Sequence, residues 1–165
     1  MLNSTTTNSN VQLIKYNCNY DRDLSNFHLP DDQLMFTALP LQKINDPKLS
    51  DQTIHILILK DEKAVGYFAL EEGSKLHKYS SNENARLLTA FSINNKNQGQ
   101  GLAKSGLKML PSFISKNFPD INEVVLGVNQ KNQAAISLYL KTGFEDKNEI
   151  YKGPKGPQHI LHLSI

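Results

Sequence analysis

Six residues, Gln98-Gly99-Gln100-Gly101-Leu102-Ala103, restrict the possible folds of this chain more than any others. They close an apolar, strand-like run, Leu87–Ile93, and open a run with helical spacing, so the fold has to contain a strand, a glycine turn and a helix in direct succession. Glycine lets the backbone approach an anion closely. The first free N–H groups of the helix, with its positive dipole end, complete such a site, which makes the segment a candidate phosphate cradle. A surface turn before an ordinary helix accounts for Gly99 and Gly101 equally well. A dinucleotide fingerprint does not fit, although Asp120 lies about twenty residues on, because its third glycine would fall at Lys104 and the loop comes late in the chain. A nucleotide P-loop fails as well, since no Gly-Lys-Ser/Thr follows.

The rest of the chain alternates similar pieces. Val11–Tyr16 reads as a strand and Asp21–His28 as a short helix with Leu24 and Phe27 on one face. Pro30, Pro40 and Pro47 then impose short helical pieces and loops. Thr53–Lys60 and Lys63–Glu71 flank Asp61-Glu62 as a hairpin would, and Gly73-Ser74 marks its exit. Ser74–Asn84 is polar enough for a loop, while Arg86–Ile93 is apolar enough for a central strand. The helix after the glycines carries Leu102, Gly106, Leu107, Leu110, Phe113 and Ile114 on one face, and Pro111 inside it predicts a kink or a split. Ile121–Val128 is a strand. Gln133–Thr142 is a helix with Asn132 as N-cap and Gly143 after its end. Phe144–Lys152 and His159–Ile165 close the chain as strands around Gly153–Pro157, which is too rich in Pro and Gly for a helix or a central strand.

Composition narrows the class. With 165 residues, 39% of them hydrophobic and 21% charged, the chain suits one globular domain over residues 11–165 behind a polar, flexible tail at Met1–Asn10. A net charge of +2 with scattered lysines gives no warrant for a nucleic-acid partner. No apolar run reaches the ~18 residues of a membrane span, and the start of the chain lacks a leader pattern, so no membrane role and a cytoplasmic location are expected. The single cysteine, Cys18, excludes an intramolecular disulfide and sits without a basic cluster that would activate it. No spacing of ligand residues suggests a metal.

About thirty residues after the glycines comes Asn132-Gln133-Ala134-Ala135-Ile136-Ser137-Leu138-Tyr139-Leu140-Lys141-Thr142-Gly143-Phe144. The two segments together resemble the GNAT acetyltransferase superfamily. Its pyrophosphate motif, Gln/Arg-x-x-Gly-x-Gly/Ala, is matched at Gln98, Gly101 and Ala103. Its Asn-x-x-Ala-x-x-x-Tyr-x-x-x-Gly-Phe segment is matched at Asn132, Ala135, Tyr139, Gly143 and Phe144. The resemblance is specific over roughly residues 86–145 and agrees elsewhere in element order only. It implies an α/β domain with a mixed, mostly antiparallel sheet, helices on both faces, and a V-shaped gap between the fourth and fifth strands. It implies acetyl-CoA as cosubstrate and an amine, on a small molecule or a protein, as acceptor. It is compatible with a homodimer.

By that resemblance the N–H groups from Gly99 through Gln100, Gly101 and Leu102 to Ala103 hold the pyrophosphate, next to Gln98, and the cofactor arm pairs with Phe91, Ser92 and Ile93. Lys104 and Lys108 either assist a phosphate or form a solvated helix face. Asn132 is an N-cap and also lies near the arm. Tyr139 is a core residue by its helical spacing, and by resemblance the proton donor to the departing thiolate. The general base is missing, because Arg86–Ile93 holds no carboxylate where many members carry a glutamate. Glu71, Glu72, Glu83, His55, His77, His159, His162 or a water chain remain, and the acceptor is read by Asp21–Leu49 and Lys152–Gln158. The alternative is a domain of this shape that holds acyl-CoA as a sensor without turnover.

Overall fold

The computed structural model describes residues 10–165; of the expected tail, Met1–Ser9 lies outside the described residues. Seven strands form one sheet in the order β1-β2-β3-β4-β5-β7-β6. They are β1 (Val11–Lys15), β2 (Ile54–Lys60), β3 (Lys63–Glu71), β4 (Ala85–Ile93), β5 (Glu123–Asn129), β6 (Glu145–Gly153) and β7 (Gly156–Ser164). Every neighbouring pair is antiparallel except β4 and β5.

Alternation along β2 divides the core between the two faces. Ile56 and Ile58 face α5 (Leu102–Asn117) and α6 (Gln133–Lys141). Leu57 and Leu59 face a layer built from α1 (Asp21–Ser25), α2 (Asp31–Leu34) and α3 (Pro40–Ile44). Helix α5 lies very close to β2. A Cβ on Gly106 would stand 2.8 Å from Ile58 Cδ1, so the glycine on the apolar face of α5 is there for contact.

Three expectations need correction. Helix α5 runs as one helix through Pro111. The missing N–H costs about 3 kcal/mol, which the burial of Leu107, Leu110 and Ile114 at roughly 1.5–3 kcal/mol each outweighs. The stretch expected as a loop contains one helical turn, α4 (Ser74–His77), because its lone leucine, Leu76, seats on Ala85, Leu87 and Val125. The Gly-Pro segment is a tight turn with strand on both sides: β6 runs to Gly153 and β7 starts at Gly156, with Lys152 opposite Pro157 and only Pro154 and Lys155 between. Although β7 is an interior strand, Pro157 is tolerated because it sits next to the strand's first residue. Among the described residues no helix is long and apolar enough to cross a membrane.

Candidate active site

Strands β4 and β5 pair at three positions only, Ala85↔Glu123, Arg86↔Val124 and Leu87↔Val125, and then separate. From Leu88 to Ile93 the β5-facing main chain of β4 has no strand partner, while β5 stays paired with β7 as far as Asn129↔Gln158. A wedge therefore opens within the sheet. The other edge of β4 is distorted as well, because its register against β3 skips between Tyr67 and Ala69 and Ala90 adopts a φ of 55°. That left-handed conformation costs a non-glycine residue roughly 1–2 kcal/mol, and bulges of this kind redirect strands beside active sites.

A cavity of about 1060 Å³ fills the wedge and reaches the start of α5. Gly99 and Gly101 have φ of 77° and 73°, and a Cβ at either would meet no protein atom within 4 Å. Their positive φ and open surroundings explain why glycine stands at both. Among the described residues, no backbone hydrogen bond is donated from residues 99–104, and the first is Ser105 N–H to the Gly101 carbonyl. Several N–H groups at the positive end of a 16-residue helix are thus unpaired. Lys104 lies in the first turn, where a cation is unfavourable against the helix dipole unless an anion sits nearby. Lys104 and Lys131 both line the cavity, whereas Lys108 lines a separate groove between β1 and α5.

The cavity also holds Phe91, Ser92, Ile93, Leu102 and Ala103. Gln98 lines it too, but its side chain is already engaged. Its Nε2 donates to the Ile93 carbonyl at 2.9 Å and to Gln33 Oε1, so it fixes the end of β4 against α2. Gln100 is outside the lining, and its Oε1 accepts from Lys60 Nζ at 2.7 Å. Asn132 caps α6 by accepting from Ala135 N–H at 3.2 Å and still borders the cavity. Ser92 Oγ, Thr37 Oγ1 and Asn97 Oδ1 are buried without a partner among the described residues, and all three residues line this cavity. Unpartnered polar atoms around one hollow suit a ligand bearing amides and hydroxyls.

Tyr139 is 8% exposed, its ring packed edge-on against Phe91 and Phe144 with centroids 6.1 and 5.4 Å away. Its hydroxyl has no hydrogen-bond partner among the described residues, and the residue lines the cavity. Burial raises the phenol well above its ordinary value, so it keeps its proton.

At the opposite end, where β4 and β5 are still paired, Glu71 is almost fully buried. Its carboxylate accepts from Lys43 Nζ at 3.0 Å, from Lys75 Nζ at 3.1 Å and from Thr89 Oγ1. Burial alone would raise its pKa; the hydrogen bonds from Thr89 and Lys43 and the two ammonium charges more than offset this, and the group stays ionised below the ordinary carboxylate range. Tyr79 crosses beneath β5 to donate to Gln158 Oε1 at 2.8 Å, and its ring packs at a tilt of 46° against Tyr151. Gly127 permits the crossing, since any Cβ there would collide with Tyr79 and Gln158. Across the mouth, Lys155 Nζ donates to the Met35 carbonyl at 2.6 Å.

Residues 20–144 match the family model of the GNAT acetyltransferases. The chain is also 37% identical over 153 residues, 92% of its length and 96% of the relative's, to YbbJ of Bacillus subtilis (strain 168), described as an uncharacterized N-acetyltransferase. The chain belongs to the GNAT acetyltransferase family. As a member it is an acetyltransferase with acetyl-CoA as cosubstrate. Its fold is shared with aminoglycoside acetyltransferase AAC(6')-Ib, solved with paromomycin and acetyl-CoA, at a TM-score of 0.72, 16% identity and 93% of each chain covered. It is shared too with a spermidine N-acetyltransferase SpeG chimera from Vibrio cholerae and hSSAT, at a TM-score of 0.67 and 15% identity, covering 94% of this chain and 96% of that one.

For a GNAT protein the missing strand carboxylate has a plain counterpart here: Glu71 reaches Thr89 of β4 from the neighbouring strand, but it is committed to two lysines. Asp32 is the one carboxylate among the cavity's lining residues, on α2 beside the Gln33–Gln98 pair. None of His55, His77, His159 and His162 lines the cavity. His55 binds the Tyr67 hydroxyl at 2.6 Å, and His162 stands between Glu123 and Glu149. Lys131 and Asn97 carry no signal in the sequence that sets them apart from other surface polar residues, whereas Thr37 falls inside the Asp21–Leu49 segment expected to read the acceptor.

Proposed function

We propose that the protein moves the acetyl group of acetyl-CoA to an amine by direct attack within a ternary complex. The observation that carries this is the single cavity joining the unpaired edge of β4 to the open N–H groups of α5. The free N–H groups of residues 99–104, with Lys104 and Lys131 beside them, suit a pyrophosphate. The main chain from Phe91 to Ile93 suits an amide-bearing arm that adds to a strand edge, and Ser92, Thr37 and Asn97 offer it the polar atoms left unpartnered.

Acetyl-CoA supplies the activated acyl group. The main chain of β4 around the Ala90 bulge supplies an N–H toward the carbonyl oxygen, where negative charge grows as the amine attacks. The Tyr139 hydroxyl donates a hydrogen bond to the departing sulfur. A thiol, at about pKa 8.5, is a stronger acid than the tyrosine phenol at about 10, so the hydroxyl shares its proton with the sulfur without surrendering it. The proton lost by the nitrogen passes through water and ends on the departing thiolate, because Glu71 is saturated and no imidazole lines the cavity. The acceptor enters between the segment around Met35–Ala38 and the β6–β7 turn, the two parts bridged by Lys155.

Incubation with acetyl-CoA and a panel of amines, amino acids, polyamines and peptides, following free thiol, tests this reading. Thiol release that depends on an amine, with the acetylated amine as product, is expected. Acetyl-CoA binding with no amine-dependent thiol release would instead favour an acyl-CoA sensor.

A further inference from the structure

The charged side chains lining the cavity are unequally divided. Asp32 is the one acid among the lining residues, against Lys43, Lys75, Lys104, Lys131 and Lys155. Lys104 and Lys131 flank the glycine loop and the start of α6, where the phosphates are placed above. Lys43 and Lys75 stand at the far end. Glu71 opposes Leu87 in the sheet and the glycine loop follows Ile93, so six strand residues, roughly 20 Å, separate the two basic ends.

At the far end, two ammonium groups share one carboxylate, leaving a net positive charge. The Lys43 side chain is 11% exposed and Lys75 is 49% exposed, so one is buried in the cavity wall and the other is half open to solvent at its rim. Lys43 Nζ makes one hydrogen bond, to Glu71, which leaves two of its three donors unpaired. Burial, and then the neighbouring Lys75 ammonium, depress its pKa although Glu71 acts to raise it. No acid lines this end of the cavity to receive a second ammonium. A polyamine or aminoglycoside would bring its extra positive charges against Lys43 and Lys75.

We propose that the acceptor is a small amine that also carries an oxyanion, a carboxylate or phosphate held by Lys43 and Lys75 while its amine faces the thioester beside Phe91 and Tyr139. This rests on the acetyl-transfer reading above. Thr89, which anchors Glu71, lies two residues from Phe91, about 7 Å along the strand, so the amine and the oxyanion are only a few bonds apart. Glu71 then acts as a positioning residue: it aligns the two lysines without neutralising both.

The test compares 4-aminobutyrate, butylamine and 1,4-diaminobutane, which share a chain length and differ in end charge, together with phosphoethanolamine and spermidine. Thiol release and acceptor titrations by NMR on the coenzyme A-loaded protein are both read. A kcat/KM at least tenfold higher for 4-aminobutyrate or phosphoethanolamine than for 1,4-diaminobutane is expected, and the better of the two identifies the oxyanion. Lys43→Met and Lys75→Gln should each erase most of that advantage through KM for the acceptor; Lys75→Gln serves if the buried substitution does not fold. Equal or better use of 1,4-diaminobutane or spermidine overturns the proposal and leaves acetyl transfer standing. If no amine is turned over, tighter NMR binding of 4-aminobutyrate or phosphoethanolamine than of 1,4-diaminobutane supports the oxyanion site and condemns the acetyl-transfer reading. Equal or weaker binding overturns the site.

Discussion

The two ends of the cavity are made of different material. At the glycine loop the groups facing inward are main-chain N–H, held by a positive-φ turn and the first turn of α5. At the Glu71 end they are side chains, brought together from α3, β3, α4 and β4. A main-chain site tolerates most side-chain changes and fails when the backbone is altered. A side-chain site fails when one member is removed, because its partners are left charged and buried.

Glu71→Ala is the largest test of that difference. Removing a buried carboxylate from two lysines is expected to cost roughly 3–5 kcal/mol of stability, read as a lower denaturant midpoint with unchanged slope. A loss under about 1 kcal/mol, the range of exposed pairs, would show that the cluster behaves as a surface ion pair. The same cluster sets an acid limit. Because the folded pKa of Glu71 is lowered, its contribution is fully present above the ordinary glutamate value near pH ~4.3 and is lost as pH falls from there through the folded value. Glu71→Ala should therefore flatten the acid side of the stability profile.

Gly101→Val attacks the other end through the backbone. A β-branched residue at φ 73° is strained, and its side chain would project into the open space before α5. Acetyl-CoA affinity should fall by about 100-fold or more, near 2.7 kcal/mol, with the protein still folded by circular dichroism. Calorimetry giving undiminished affinity would remove the glycine loop from the cofactor site.

Tyr139→Phe keeps the aromatic packing and deletes one hydroxyl. A kcat lower by about 100-fold, with acetyl-CoA affinity nearly preserved, is expected from a donor that acts on the leaving group. A kcat within about threefold of the unmodified protein would leave Tyr139 as a core residue. The smallest effect is Asn132→Ala, which should remove about 1 kcal/mol from stability as a lost N-cap.

The same contrast explains what was legible in the sequence. The glycine-loop end occupies one short stretch, and its special dihedrals demand glycine, so Gly99 and Gly101 announce it. The cap at Asn132 and the turn at Gly143 are local for the same reason, and both stand where the periodicity of α6 placed them. Pairing of Lys43 with Glu71 spans 28 residues, and that of Tyr79 with Gln158 spans 79. Neither has a sequence period. The Ala90 bulge was hidden because alanine gives no sign of a left-handed φ, and α4 because four residues are too few to show a helical repeat. Pro111 misled in the opposite direction, since a local breaker was outweighed by burial along the whole of α5.

The most direct measurement of the main-chain claim is an amide-resolved NMR titration of the ¹⁵N-labelled protein with coenzyme A. The amides of Gly99, Gln100, Gly101, Leu102, Ala103 and Lys104 are free of backbone partners and should show the largest shifts in the protein, with Phe91–Ile93 next along β4. Binding that leaves residues 99–104 unmoved while amides elsewhere respond would contradict the account at its base.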